Sequence, residues 1–122
     1  MRVSLILTII LTLFCHQSHS EERDDFDRAV DAVEFKTKIS GTTWYYQWEG
    51  KNFIFAFEPD GSISKLESWA GVTWQATQKN EVKLTAKNGN MFLHFNDAAN
   101  TFTTVDWNKE KASGELIFKD DR

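Results

Sequence analysis

The spacing of apolar residues changes period once along this chain. Between residues 24 and 39, Phe26, Val30 and Val33 recur three or four apart, with Ala29 beside them, which places them on one face of a helix. Asp24 suits the N-cap, Asp25 and Asp27 set negative charge against the positive end of the helix dipole, and Glu34 and Lys38 stand four apart in the favourable order. Gly41 suits the position just past the last turn. These features predict an acidic amphipathic helix within residues 21–40. From Thr42 onward apolar and polar residues alternate, with turn signals every eight to twelve residues. The predicted strands are 42–49, 52–58, 62–69, 72–77, 81–86, 91–96, 101–107 and 114–119. The expected fold is mainly β: a single antiparallel barrel or sandwich of seven or eight short strands over residues 41–122, with one N-terminal helix that packs against it or stands off as an interaction element.

Two hairpins can be registered from the sequence. A two-residue turn at Gly50-Lys51 pairs Trp48 with Phe53, Tyr46 with Phe55 and Trp44 with Phe57, so six rings share one face. A turn at Asn88-Gly89 pairs Ala86 with Met91, Leu84 with Leu93 and Val82 with Phe95, and sets His94 opposite Lys83. Two hairpins, each apolar on one face, need one another or the helix to bury those faces. The turn Pro59-Asp60-Gly61 pairs Phe57 with Ile63, but continuing the strand sets Phe55 against Lys65 and Phe53 against Glu67. Either a bulge near Leu66 switches faces, or those charges lie at an open rim. A weak internal repeat of 38 residues matches Asn52, Phe57 and Trp69 with Asn90, Phe95 and Trp107.

The rings not needed for a core, Tyr45, Phe92 and some of Trp69, Trp74 and Trp107, are the candidates for binding. Tyr45 lies on the polar face of its hairpin, and Trp69, Trp74 and Trp107 lie at strand ends beside Glu67, Gln75, Asp106 and Asn108. Flat apolar faces next to amides and carboxylates suit sugars, whose rings stack and whose hydroxyls need polar partners. Tyr45, Trp69, Trp74, Trp107 and Asn108 are therefore the expected ligand-binding residues.

The chain begins with Arg2, an apolar run from Val3 to Phe14, then small residues at Ser18 and Ser20 before the acidic segment at Glu21. This is the form of a secretory signal peptide, residues 1–20, and the run is shorter than the roughly 20 residues of a membrane span. The expectation is a secreted, extracellular protein with no membrane span after cleavage. Cys15, His16 and His19 leave with the leader, so the mature chain has no thiol and only His94. A Cys–His pair and a zinc site of Cys and His are excluded, and a Ser-His-Asp triad would have to use His94. A formal net charge of −4 disfavours a nucleic-acid partner. No catalytic residue, metal ligand or cofactor is assigned. Glu58, Asp60 and Glu67 are the only carboxylates that a small hydrolase would draw on.

The stretch 41–63 resembles the opening hairpins of the avidin family, and more loosely the Gly-X-Trp start of lipocalins, through Gly41, Trp44, Tyr45, Gln47, Gly50, Phe53 and Asp60-Gly61. Gly71–Asn80 has a similar strand around Trp74. The resemblance implies an eight-stranded up-and-down barrel. It carries over no site residue and does not imply biotin binding.

These readings converge on a secreted non-catalytic binding protein whose ligand is a small apolar molecule or a glycan held by aromatic residues. The alternative is an acidic structural or interaction protein of an extracellular matrix, with calcium, mineral or another extracellular protein as partner.

Overall fold

The computed structural model describes residues 24–119; the leader reading of residues 1–20 lies outside them. A helix, α1, spans residues 24–39 and precedes eight strands: β1 (Thr42–Trp48), β2 (Lys51–Phe57), β3 (Ile63–Ser64), β4 (Thr73–Gln78), β5 (Glu81–Ala86), β6 (Gly89–Phe95), β7 (Thr101–Val105) and β8 (Lys111–Lys119). Each strand pairs antiparallel with its neighbour in sequence from β1 to β3 and from β4 to β8, and β8 pairs with β1. The last seam, between β3 and β4, holds one bridge, Ser62 to Thr73, with the Trp74 amide on the Gly61 carbonyl at 2.9 Å. The result is a nearly closed up-and-down barrel. Its closed end carries α1 and the turns at Glu58–Ser62, Lys79–Asn80 and Asn96–Asn100. Its mouth carries the turns at Glu49-Gly50, Lys87-Asn88 and Asp106–Glu110, with a short 3-10 helix, Glu67–Trp69, between β3 and β4.

Both registered hairpins shift by two residues from the sequence expectation. Trp44 faces Phe55 and Tyr46 faces Phe53, with the turn at Glu49-Gly50, both left-handed at φ 50° and 74°. Leu84 faces Met91, Val82 faces Leu93, and His94 faces Glu81 rather than Lys83. The shift is even, so every side chain stays on its expected face. The β1–β2 register continues into the Gly41 amide, which donates to the Phe57 carbonyl at 2.8 Å and sews the helix exit onto the sheet.

The third strand departs more. Phe57 does face Ile63, but β3 ends at Ser64, and Lys65 turns left-handed at φ 70°. The expected clash of Phe55 with Lys65 never arises, because the chain leaves the wall there. Trp69 then swings in to fill the gap, its ring 4.9 Å from Tyr46 and 5.1 Å from Phe55.

The barrel interior is packed with rings. Trp44, Phe55, Phe57 and Phe102 are fully buried, alongside Val82, Leu84, Met91 and Leu93. Phe102 lies between Trp44 at 5.4 Å and Phe95 at 5.2 Å, and it is Gly114 on β8 that makes room. A Cβ on Gly114 would stand 1.9 Å from the Phe102 ring. The 38-residue repeat has a spatial counterpart: it spans four strands, half the barrel, so matched rings meet across it. Phe57 and Phe95 lie 6.2 Å apart, as do Trp69 and Trp107.

The helix docks by its last turn alone. Phe35 and Ile39 are buried, Phe35 edge-on to Phe95 at 5.2 Å. The Thr42 hydroxyl donates to the Ile39 carbonyl at 2.5 Å and accepts the Trp44 indole N–H at 2.8 Å, tying helix to core. The face expected to pack does not: Phe26 is 69 %, Val30 39 % and Val33 66 % exposed. Those turns stay outside the core, and Phe35 and Ile39 are the helix side chains buried at the closed end.

Two substitutions test this packing. Phe55→Ala is expected to cost about 3–5 kcal/mol in urea denaturation, as for other fully buried rings. Gly114→Ala is expected to cost about 1–3 kcal/mol by overpacking, with part recovered on adding Phe102→Leu. A neutral Gly114→Ala would mean that the Phe102 ring does not lie against that backbone.

Candidate functional site

With the interior filled, the space open to a ligand lies at the mouth. The β6–β7 ladder pairs only Leu93 to Phe95 with Phe102 to Thr104, so Gly89–Phe92 of β6 runs toward the mouth without a partner on β7. The Thr104 hydroxyl compensates by donating to the Phe92 carbonyl at 2.6 Å. The two hairpins thus splay, and the 3-10 helix closes the third side. Between them lies a cleft of about 1470 Å³. Trp69, Met91 and Trp107 line it, the exposed Phe92 and Val105 extend its apolar surface outside, and Asn88, Asn90 and Asn108 supply amides.

The two tryptophans meet edge to face, 6.2 Å apart at 80°. They also differ from the other three in their N–H groups. Trp44 donates to the Thr42 hydroxyl, Trp48 to the Glu110 carboxylate at 3.1 Å, and Trp74 to the Glu58 carbonyl at 2.8 Å. Trp69 and Trp107 have no such partner among the described residues, but they differ in exposure: Trp107 is half-buried, whereas Trp69 is buried against Tyr46 and Phe55. The cleft therefore offers the half-buried Trp107 ring, backed edge to face by the buried Trp69.

Beneath them sits a buried polar pair. The Tyr46 hydroxyl donates to Asp106 Oδ2, while Asp106 Oδ1 accepts the Asn108 amide at 3.1 Å and orders the turn that carries Trp107. Burial first, and then the Asp106 hydrogen bond and charge, push the Tyr46 phenol far above its ordinary value of 10.0. On the neighbouring turn the hydrogen bond with Glu110 raises the Glu49 carboxyl above the usual carboxylate range. The same Glu110 holds the Trp48 indole, so it faces the β1–β2 turn.

Of the residues expected from the sequence to bind a ligand, Trp69, Trp107 and Asn108 come together here. Tyr45 lies on the outer face of β1, between Ile54 and Glu115. Trp74 is buried against Phe57 at 5.2 Å, in the β3–β4 seam. Phe92, a spare ring in the sequence, extends the site, but the sequence reading did not reach Met91, Asn88 or Asn90, which lie on the unpaired half of β6 or in the turn before it. The three carboxylates considered for hydrolysis do not meet: Glu58 accepts the Ser64 hydroxyl and Asp60 the Ser62 hydroxyl at the closed end, while Glu67 opens the 3-10 helix. His94 is exposed and lies 3.6 Å from Glu81. Among the described residues no group of three His, Cys, Asp or Glu side chains is placed to hold a metal ion, and no helix is long and apolar enough to cross a membrane.

No protein-family model matches the chain, and no curated protein or solved structure matches it either.

The Tyr46–Asp106 pair makes a pH prediction. A phenol whose folded pKa is raised contributes stability that is fully present below about pH 10, the unfolded value, and that is lost as pH rises beyond it. Thermal unfolding followed by near-ultraviolet circular dichroism should show a flat neutral limb and a falling alkaline limb. Tyr46→Phe should lower stability at pH 7 by about 1–2 kcal/mol, because it leaves Asp106 without that donor, and should flatten the alkaline fall.

Proposed function

We propose that this chain is a secreted, non-catalytic binding protein that holds a glycan in the mouth cleft of a calycin-type barrel. The observation that supports it most is the half-buried Trp107 ring, backed by Trp69, at a cleft edged by Asn88, Asn90 and Asn108. A sugar ring presents C–H faces to an indole and hydroxyls to amides. The cleft is also larger than the roughly 300–1,000 Å³ of a compact small-molecule pocket, which suits several linked rings. A small apolar ligand enclosed by the barrel, the other ligand class expected from the sequence, is disfavoured by an interior occupied by Trp44, Phe55, Phe57 and Phe102.

One observation favours a second reading. Phe26, Val30 and Val33 stand exposed on an acidic helix that only its last turn anchors, which suits an interaction protein of an extracellular matrix. Calcium or mineral association belongs to that reading.

The deciding experiment is a glycan array probed with the secreted chain, followed by titration of hits by tryptophan fluorescence. Trp107→Ala is expected to weaken binding about tenfold or more, as for an aromatic anchor, while leaving the unfolding midpoint nearly unchanged, since Trp107 is only half buried. Unchanged binding by this variant would remove Trp107 from the site, and an array without hits would favour the interaction reading.

A further inference from the structure

The mouth concentrates positive charge in a chain whose formal net charge is −4. Lys87 sits at the tip of the β5–β6 hairpin, and Lys109 and Lys111 flank the tip of the β7–β8 hairpin, so cations stand on both lips of the cleft. Two carboxylates at the same end, Asp106 and Glu110, are engaged in hydrogen bonds, and Glu67 opens the 3-10 helix there. Asp106 is buried, with one oxygen on Tyr46 and the other on the Asn108 amide. Glu110, between Lys109 and Lys111 in sequence, turns to Trp48 and Glu49. Among the described residues the one ion pair at the cleft is His94 with Glu81, on its outer flank, and none of the three lysines is paired. Lysines at hairpin tips are common for solubility alone. Here they stand on opposite lips of a cleft whose lining holds one carboxylate, Asp106, itself buried in hydrogen bonds.

We infer that the mouth cleft selects acidic saccharides, with uronate carboxylates or sulfates held by Lys87, Lys109 and Lys111 while a sugar ring lies on Trp107. This rests on the glycan reading above. Three exposed cations acting together favour an anion through charge-assisted hydrogen bonds and lose that advantage as salt screens them. The acidic remainder of the surface repels the same ligand, so anions are directed to the mouth.

The test is isothermal titration of the secreted chain with three probes of equal length: a hexauronate, a sulfated hexasaccharide and a neutral hexaglucose. The acidic probes should bind about tenfold tighter than the neutral one, with the preference falling as salt is raised from about 0.05 to about 0.5 M. The comparison of uronate with sulfate identifies which anion the lysines prefer. Lys87→Gln, Lys109→Gln and Lys111→Gln, each exposed and each expected to fold, should weaken acidic binding about two- to fivefold singly, and together remove the preference. Equal binding of all three probes, indifferent to the lysine changes, would overturn the charge inference and leave the saccharide reading intact. Binding of acidic probes that survives the triple change would equally overturn it. Failure of every probe to bind would overturn the saccharide reading itself.

Discussion

Phe102 can lie flat against β8 only because residue 114 has no side chain. That single close approach lets its ring reach Trp44, Phe95 and, at 6.1 Å, Phe55, joining β1, β2, β6 and β7 through one aromatic cluster. With no cysteine among the described residues, their stability must come from such burial, at about 1.5–3 kcal/mol for each large side chain before entropy is subtracted. A barrel of eight short strands has just enough interior to be filled by its own side chains. Once Phe102 occupies the centre, the interior is a core, and a ligand must be met at an end.

The two ends then divide the work. At the closed end, Phe35 and Ile39 seal the barrel, and Thr42 links the helix carbonyl to the Trp44 indole. At the mouth, the early end of β3 leaves a gap that Trp69 fills, and the early end of the β6–β7 ladder leaves another that stays open. Tyr46 and Asp106 fix the turn behind Trp107, so the ring next to the opening is held by a buried hydrogen bond. The cleft is thus a local interruption of strand pairing supported by a rigid core.

Much of this was legible in the sequence. The end of the helix, the strand number and the inward rings follow from periodicity, and an error of two residues in each hairpin left the faces unchanged. The exact turns did not follow. Asn88-Gly89 carries the stronger turn signal, yet the chain turns at Lys87-Asn88, because inward packing sets Leu84 opposite Met91. Similarly, Glu49 takes a left-handed turn position where glycine was expected first, beside Glu110 from another hairpin. The apolar helix stripe was visible, but its failure to pack depends on how the helix meets the barrel. Trp69, Trp107 and Asn108 could be picked as spare residues beside polar neighbours. That Trp74 is spent on closing the seam, and that β6 loses its partner at Phe92, depends on contacts between strands that no local pattern encodes.

The five indoles provide the most direct test of a filled barrel with a binding mouth. Their N–H resonances can be followed by nuclear magnetic resonance while a hexauronate is added to the labelled protein. The Trp69 and Trp107 signals should move together and saturably, while those of Trp44 and Trp74, bonded to Thr42 and Glu58, stay in place. Shifts centred on Trp44, with Trp69 and Trp107 unmoved, would mean that the ligand enters the barrel interior and that the packing described here is not what governs binding.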